Sequence, residues 1–263
     1  MDGTSLALDA ASEERRIASF IRRVVSRSGA KGAAVGLSGG VDSAVVGRLC
    51  VGALGRDRVL GVLMPSAHTP SADLDDASRL AAAWGIARVT VPISPVVEAI
   101  VSAAGPAAAR IAAANVQARV RMTLLYYFAN ARGLLVAGTG DRSEETIGFF
   151  TKYGDGGVDF LPIAHLYKTQ VRAMARHLGI PEGVAEKPAS PQLWPGHTAE
   201  QELPAGYEKL DLVMHMLFDR GAAPAAAARG AGVDREVVDR LLEMHAKSAH
   251  KRSLPPSLRP PRA

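Results

Sequence analysis

Apolar residues occur along the chain in two patterns, as short continuous runs and as longer stretches with helical spacing. Short runs that end at a glycine or a polar turn are typical of strands buried in a parallel sheet. They predict strands at 33–37, 58–64, 89–93 and 134–138. The helical spacing predicts helices at 11–27, 44–54, 71–84, 110–130, 170–178, 208–218 and 234–244. Strands that alternate with helices predict an α/β fold, a doubly wound parallel sheet with helices on both faces.

The regular pattern stops after Ile180, and the stretch that follows, 181–204, is polar and contains five prolines. A long segment without regular structure is more often a functional loop than a connector. We therefore expect residues 188–204 to form a mobile loop that closes over a ligand. The alanine-rich stretch 222–228 is interpreted as a composition bias, because alanine is frequent throughout the chain. With neither a repeat nor a clear linker, one domain over residues 1–263 is the simplest organisation.

Composition excludes several classes of protein. Hydrophobic residues make up 48% of the 263 residues, which is typical of a folded chain with a full core. No apolar run reaches the roughly 18 residues of a membrane span, and the N-terminus lacks the apolar region of a secretory signal. The single cysteine, Cys50, excludes an internal disulfide and favours a cytoplasmic location.

The net charge of +5 is concentrated in the tail, residues 246–263, which carries five cations and no acids. A balanced body with one basic tail argues against a broad nucleic-acid surface, and we expect neither nucleic acid nor a membrane as a partner. The tail is still suited to contact the phosphates of a small ligand.

The strongest local signal is the loop Ser38-Gly39-Gly40-Val41-Asp42-Ser43 between a predicted strand and a predicted helix. Its glycines let the backbone approach a ligand, and the helix that follows directs free N–H groups and its positive dipole end to the same point. An acid beside bound phosphate requires a cation between them, so Asp42 predicts Mg²⁺. No Gly-Lys-Ser/Thr follows, which excludes a P-loop. The motif resembles the pyrophosphate loop of ATP pyrophosphatases, which predicts an enzyme that binds ATP and adenylates a small substrate.

A second polar cluster follows the strand at 134–138 and comprises residues 138–144 and 151–159. Its position at a strand end is where α/β sheets bind ligands. Glu144 is a candidate to complete a Mg²⁺ site with Asp42, and Thr139 is a candidate donor to a phosphate or ribose. Lys152 and Lys168 are candidates to neutralise ligand charge.

Four stretches of the chain resemble the NAD synthetase family of ATP pyrophosphatases. They are Asn115 to Met122, Phe149-Phe150-Thr151-Lys152-Tyr153-Gly154-Asp155-Gly156-Gly157, Leu166 to Gln170 and Ser248 to Arg252. The four stretches occur in the same order as in the family and extend over most of the chain. The second is close to a family signature. The resemblance implies an adenine nucleotide alpha hydrolase-like fold and ATP-dependent amidation of deamido-NAD with ammonia, through an adenylate, with release of AMP and pyrophosphate.

The resemblance also implies roles for individual residues. ATP contacts are implied for Gly36, Leu37, Ser38, Gly39, Gly40, Val41, Asp42, Ser43, Thr139, Lys168 and Ser190. Contacts with deamido-NAD are implied for Arg119, Lys152, Asp159, His250 and Lys251. Asp42 and Glu144 are the implied Mg²⁺ ligands, and the family's active site lies at a homodimer interface. Ser38 and Lys168 are candidate catalytic residues, and we add the hypothesis that Asp159 holds or deprotonates ammonium.

The chain departs from the family pattern at several points. His197 and Ala199 stand where members often have a glutamine and an acid, and residues 138–144 contain Asp141 and Arg142 at variable positions. The glutaminase domain of some members is not found, so we expect free ammonia or a separate glutaminase partner.

Two other functions remain open. A tRNA-modifying ATP pyrophosphatase would require paired cysteines or an added basic domain. A non-catalytic nucleotide-binding regulator would be expected to lack Asp42 or Glu144, and the chain contains both.

Overall fold

A computed structural model describes residues 6–105, 110–190, 194, 196 and 198–258. Its centre is a sheet of four parallel strands in the order β3-β2-β1-β4. The strands are β1 (Gly32–Gly36), β2 (Val59–Leu63), β3 (Ala87–Thr90) and β4 (Leu134–Ala137). Each corresponds to a predicted strand with ends displaced by at most three residues, and the predicted parallel α/β fold in one domain is confirmed.

Helices surround the sheet. They are α1 (Ala10–Ser28), α2 (Val41–Leu54), α3 (Ser71–Ala83), α4 (Ser94–Ala104), α5 (Arg110–Arg132), α6 (Arg142–Ile147), α7 (Lys168–His177), α8 (Glu182–Ala185), α9 (Tyr207–Met214), α10 (Pro224–Ala231) and α11 (Arg235–Lys247). A π-helical turn, His215–Asp219, extends α9, and 3₁₀ turns occupy Arg56–Arg58, Ala199–Gln201 and Ala249–Lys251. Among the described residues, no helix is long and apolar enough to cross a membrane.

Strands β1 and β2 are buried on both faces, as their continuous apolar runs predicted, whereas three of the four residues of the edge strand β3 are exposed. Ala33 and Val35 of β1 point into a core shared with α1, α2 and α7. Ala34, between them, points to the opposite face and packs in a cluster with residues of α5. A third apolar cluster lies away from the sheet and joins α6 to α9, α10 and α11. The sheet therefore supplies a rigid edge, and the third cluster supports the helices beyond it.

Several local predictions were wrong. The alanine-rich stretch at 222–228 lies largely within α10, whose Ala227 and Ala228 are buried against the third cluster. Alanine has the highest helix propensity and lets helices approach closely, so the composition was a structural signal. Helices α4 and α6 were also not predicted from the apolar pattern.

The stretch 181–204 is not entirely irregular, because it contains α8 and the 3₁₀ turn Ala199–Gln201. Residues 191–193, 195 and 197 of the predicted mobile loop, among them His197, lie outside the described residues, as do residues 259–263 of the basic tail. Ala199, the other departure in this loop, is buried in the third cluster.

Candidate functional site

The phosphate loop connects the end of β1 to the start of α2 and is braced by its own serines. The backbone N–H of Ser38 donates to the Ser43 hydroxyl at 3.2 Å, and that hydroxyl donates to the Gly40 carbonyl at 3.0 Å. The two hydroxyl oxygens lie 3.1 Å apart. These bonds hold the loop at the N-terminus of α2, where free N–H groups and the helix dipole favour a bound anion.

Gly39 is the position at which the loop requires glycine. Its φ is +81°, and a Cβ there would lie 2.2 Å from the Asp73 carbonyl oxygen of α3. A side chain at residue 39 would therefore be strained by its backbone conformation and would push α3 away. The close approach makes α3 part of the wall around the phosphate loop.

Lys187 connects three segments at this wall. Its Nζ donates to Asp73 Oδ1 at 2.5 Å, to Asp76 Oδ2 at 2.6 Å and to the Gly39 carbonyl at 3.0 Å. Burial lowers the pKa of Lys187, but the bonds and charges of the two aspartates outweigh burial and raise it overall. The cation thus fixes the Gly39 peptide to α3 at the residue that precedes the predicted mobile loop.

Lys168 forms the centre of the polar cluster opposite the phosphate loop. Its side chain is 1% exposed, and its Nζ lies 2.8 Å from Asp42 Oδ1, 2.9 Å from Glu144 Oε1 and 3.1 Å from Asp141 Oδ2. Asp42 comes from α2, Asp141 and Glu144 from the start of α6, and Lys168 from the start of α7. Asp141 also caps α6, because its carboxylate accepts the Glu144 N–H at 2.8 Å.

Three carboxylates share one ammonium, so the cluster holds more negative than positive charge. Burial raises the pKa of Asp141 to about 7 and raises that of Glu144 well above its ordinary value, although Lys168 opposes both shifts. Burial lowers the pKa of Lys168, but Asp141, Asp42 and Glu144 together raise it well above its usual value. The ammonium is therefore firmly charged, and in the described part of the chain it is the cation that pairs with all three carboxylates.

The donor set of this cluster fits Mg²⁺. Asp42 and Glu144 each leave 22% of the side chain exposed and line the central cavity, whereas Asp141 is fully buried. Among the described residues, no three His, Cys, Asp or Glu side chains form a metal site by themselves. One or two carboxylates completed by substrate phosphates is the usual protein contribution to a Mg²⁺ site in ATP enzymes.

A cavity of about 850 Å³ lies between the phosphate loop and the second polar cluster. Many of the predicted site residues line it, and these are Gly36, Leu37, Ser38, Gly40, Val41, Asp42, Thr139, Glu144, Ser190 and Lys251. The strand order explains why residues that follow β1 and residues that follow β4 line the same cavity. β4 pairs with β1, so the carboxyl ends of the two strands are adjacent. Gly39, Ser43 and Lys168 do not line the cavity but hold residues that do.

Four predicted substrate residues lie outside the cavity of this chain. Arg119, on α5, donates to the Lys152 carbonyl at 3.3 Å, and Lys152 Nζ donates to the His250 carbonyl at 2.7 Å. These three residues form one connected surface. Asp159 lies elsewhere, with its carboxylate accepting the Tyr126 hydroxyl at 3.0 Å and the Val136 N–H at 2.7 Å.

Lys251 reaches the cavity from the C-terminal turn. Its Nζ donates to the carbonyls of Gly148 and Phe150, each at 2.7 Å. Burial lowers the pKa of Lys251. Just beyond the end of α11, the basic tail therefore forms a docked 3₁₀ turn that supplies one cation to the cavity wall.

The cavity also contains functional candidates that the sequence analysis did not select. Arg121 stands two residues from Arg119, on another side of α5, and its Nε donates to the Met64 carbonyl at 3.1 Å. Asp155 is exposed to the cavity and accepts the Thr151 N–H at 2.9 Å, and desolvation by the surrounding protein raises its pKa. The glycines around Asp155 were a sequence signal for this position. Nothing in the sequence distinguished Arg121 from Arg119, because the choice depends on how α5 is rotated.

Comparison with known proteins connects this arrangement to one family. A sequence model described as NAD synthase matches residues 13–255. The NH(3)-dependent NAD(+) synthetase of Hyperthermus butylicus is 54% identical over 253 residues, which cover 96% of this chain and 92% of that protein. The protein of the same name from Pyrobaculum aerophilum is 48% identical, with 97% of this chain and 96% of the relative covered.

Solved structures give the same result for the fold. The NMN synthetase of Francisella tularensis superposes with a TM-score of 0.85 at 30% identity, covering 97% of this chain and all of that one. The NH3-dependent NAD synthetase of Campylobacter jejuni, in complex with the nitrate ion, gives a TM-score of 0.82 at 29% identity, with 96% and 100% covered. A glutamine-dependent NAD+ synthetase from Acinetobacter baumannii matches at 30% identity with a TM-score of 0.67, and the match covers 97% of this chain and 48% of that longer chain.

Replacing Lys187 tests whether its bonds support the phosphate loop. Lys187→Met removes the donor to the Gly39 carbonyl and leaves Asp73 and Asp76 without their shared cation, so the affinity for Mg-ATP is expected to fall about tenfold. Isothermal titration calorimetry measures the change. Lys209→Met, at an exposed position of α9, is the matched control and is expected to bind like the unmodified chain. Equal affinities of all three proteins would contradict a role for Lys187 at the loop.

Proposed function

The chain belongs to the NAD synthase family, and from this we propose that it is an ammonia-dependent ligase that converts deamido-NAD to NAD with ATP. The observation that carries the proposal is one cavity lined by three features: the phosphate loop, the carboxylates held by Lys168, and the stretch from Phe149 to Gly157. The first two suit the phosphates of ATP, and the third suits a second substrate beside them. AMP and pyrophosphate are the expected by-products.

The reaction requires activation, because a carboxylate has too poor a leaving group for direct attack by ammonia. In the proposed first step, an oxygen of the nicotinate carboxylate attacks the α-phosphorus of ATP, and the bond to pyrophosphate breaks. In the second step, ammonia attacks the acyl carbon of the adenylate and AMP leaves with the electron pair of the broken C–O bond. Both steps depend mainly on positioning and on charge neutralisation.

The residues that line or support the cavity would contribute to these two steps in different ways. Gly36 to Ser43 present N–H groups and hydroxyls to the phosphates, and the N-terminus of α2 favours their negative charge. Asp42 and Glu144 would hold Mg²⁺, which when bound neutralises phosphate charge as pyrophosphate leaves. Lys168 keeps those two carboxylates in place through bonds of 2.8 and 2.9 Å, and its charge opposes the rise that burial causes in the pKa of Glu144. Thr139 and Ser190 line the cavity and would add hydroxyl donors to ATP.

Asp155 is a better candidate than Asp159 to receive ammonium. Asp159 lies outside the cavity, and both of its oxygens accept hydrogen bonds that attach it to α5 and β4. Asp155 lines the cavity beside the docked Lys251 with its side chain exposed, and desolvation by the surrounding protein raises its pKa. A carboxylate with a raised pKa is a stronger proton acceptor, which suits removal of a proton from ammonium before attack. The role assigned to Asp159 from the sequence is therefore transferred to Asp155.

A second copy of the chain would complete the site for deamido-NAD. The predicted contacts Arg119, Lys152 and His250 form a surface outside the cavity of one chain. α4 has an apolar sequence without a single buried residue, and exposed fractions reach 44% at Val96 and 66% at Tyr127 of the neighbouring α5. Exposed apolar helices of this kind are typical of interfaces. We infer a homodimer in which these helices are covered and the substrate bridges two chains.

Deamido-NAD, the proposed acceptor of the AMP group, has one specific alternative. The chain is similar over its whole length to a protein named as an NMN synthetase, so nicotinate mononucleotide is a second candidate acceptor. Its carboxylate is the same reacting group, and the difference is the missing adenylate half. The curated relatives at 54% and 48% identity are named as NAD synthetases, which favours deamido-NAD. That family membership also favours this reaction over a tRNA-modifying adenylating activity.

The function is tested with Mg-ATP, ammonium and deamido-NAD. We expect NAD, AMP and pyrophosphate in equal amounts, and no AMP in the absence of deamido-NAD. Nicotinate mononucleotide in place of deamido-NAD is expected to turn over at least tenfold less efficiently in kcat/KM, because the binding energy of the adenylate half is lost. Glutamine in place of ammonium is expected to give no product unless a glutaminase is added. Formation of AMP without an acceptor would contradict the proposal.

The adenylate itself is tested with deamido-NAD that carries ¹⁸O in the nicotinate carboxylate. Attack of that oxygen on the α-phosphorus transfers one ¹⁸O to AMP, which mass spectrometry detects. Unlabelled AMP together with labelled phosphate or pyrophosphate would exclude the adenylate route while leaving the overall reaction intact.

Replacement of each aspartate by asparagine separates the two candidates for ammonium. Asp155→Asn is expected to lower kcat by about 10²-fold and to raise the KM for ammonium, because a general base is lost. The KM for ATP is expected to change little. Asp159→Asn is the matched comparison and is expected to retain the ammonium KM. The reverse result, with ammonium dependence altered only in Asp159→Asn, would return the role to Asp159.

Sedimentation velocity tests the homodimer. The expected mass is twice the chain mass of 27.5 kDa. Val96→Glu combined with Ile100→Glu places two charges on the apolar surface of α4 and is expected to yield monomers with a KM for deamido-NAD raised more than tenfold, because buried unpaired charges oppose association. A monomeric unmodified chain with full activity would refute the shared site.

A further inference from the structure

A buried carboxylate lies behind the Lys168 cluster and does not reach the cavity. Asp211, on α9, is fully buried. Its Oδ1 accepts the Ser143 hydroxyl at 2.6 Å, and its Oδ2 accepts the Thr169 backbone N–H at 2.8 Å. Burying a charge is costly, so a carboxylate retained here must be supported by the groups around it.

Ser143 extends this connection to the residues of the site. Its hydroxyl oxygen accepts the Lys168 backbone N–H at 2.9 Å while the hydroxyl hydrogen points to Asp211. Ser143 precedes Glu144 in the first turn of α6, and Lys168 begins α7. One carboxylate therefore joins the starts of the two helices that carry Glu144 and Lys168.

The bonds of Ser143 and Asp211 influence the distance between Glu144 and Lys168, which the site requires. Lys168 Nζ and Glu144 Oε1 lie 2.9 Å apart and belong to different helices. The starts of these helices are joined by the bonds of Ser143 and Asp211, and beside them the Arg142 N–H donates to the Leu166 carbonyl at 2.9 Å. A rotation of α6 relative to α7 would move Glu144 with respect to Asp42. Tyr207, one turn before Asp211 on α9, places its ring 5.5 Å from Lys168 Nζ and packs against the same ammonium. α9 therefore supports both the backbone and the side chain of Lys168.

We propose that Asp211 is a positioning residue that fixes α6 against α7 and thereby sets the arrangement of Asp42, Glu144 and Lys168 that receives Mg-ATP. It contacts neither substrate nor metal and acts only through Ser143 and the backbone of α7. The part of the proposal that concerns turnover rests on the proposed function, whereas the part that concerns Mg-ATP binding does not.

The variants Asp211→Asn, Asp211→Ala and Ser143→Ala test the proposal, with Asp239→Asn as the control. Asp239 is an exposed aspartate of α11 that bonds to Arg235. Mg²⁺ is expected to strengthen ATP binding to the unmodified chain, as calorimetry with Mg²⁺ and with EDTA measures. In Asp211→Ala this strengthening is expected to fall at least tenfold while the affinity in EDTA is retained. The value of kcat is expected to fall by about 10²-fold, the effect of a misplacement near 1 Å.

The conservative variant separates positioning from folding. Asp211→Asn keeps one acceptor oxygen and is expected to lose less than Asp211→Ala in both measurements, with the KM for deamido-NAD within about threefold of the unmodified value. Ser143→Ala is expected to resemble Asp211→Asn. The double variant is expected to be no worse than Asp211→Asn, because both residues act through one path. If Asp211→Ala does not fold, the other three variants give the same comparison.

Three results would overturn the proposal. One is retention of both kcat and the Mg²⁺ effect in every variant, another is equal loss in Asp239→Asn, and the third is full additivity of Ser143→Ala and Asp211→Asn. If the unmodified chain forms no NAD but the Mg²⁺ effect disappears in Asp211→Ala, the proposed function fails and the positioning role stands.

Discussion

The ion cluster around Lys168 is the interaction on which the rest of the site depends. One ammonium, 1% exposed, holds carboxylates from α2 and α6 within 3.1 Å of its Nζ. Removing one member of a buried ion pair typically costs about 3–5 kcal/mol, because the partner charge remains without compensation. Burial raises the pKa values of Asp141 and Glu144, although Lys168 opposes both shifts. A rigid cluster of three carboxylates around one ammonium is suited to receive a further cation together with a ligand.

The surroundings of the cluster explain how it is kept rigid. Parallel strands bring the phosphate loop and the start of α6 to one edge of the sheet, since β1 pairs with β4. α3 closes against Gly39, and Lys187 fixes that contact. On the far side, α9 supports the cluster through Asp211. The phosphate loop, α3 and α9 are therefore fixed around the cluster by polar bonds or close backbone contacts, and preorganised charges of this kind supply most of the catalysis in group transfer.

The parts of the site that could be predicted are those whose residues lie close together in the sequence. The phosphate loop could be predicted because its glycines, Asp42 and the flanking apolar run lie within a few residues. Glu144 and Lys168 were selected from the sequence as candidates to contact Mg²⁺ and ligand charge, but their bond to each other could not be predicted, since they lie 24 residues apart and on different helices. Arg121 was missed in favour of Arg119, and Asp155 in favour of Asp159. In both cases two similar residues stand close together, and only the rotation of a helix or the path of a loop determines which one faces the cavity.

The sequence alone determined the parallel α/β fold, the phosphate loop and the family, because hydrophobic periodicity and contiguous motifs are properties of neighbouring residues. Only the tertiary structure decided which charges meet. The contacts of Lys168 with Asp42 and of Asp211 with Ser143 join residues 126 and 68 positions apart in the chain, and no local pattern encodes them. The order of the strands and the packing of α6, α7 and α9 bring these groups together, and their burial then makes the charges strong enough to organise a site.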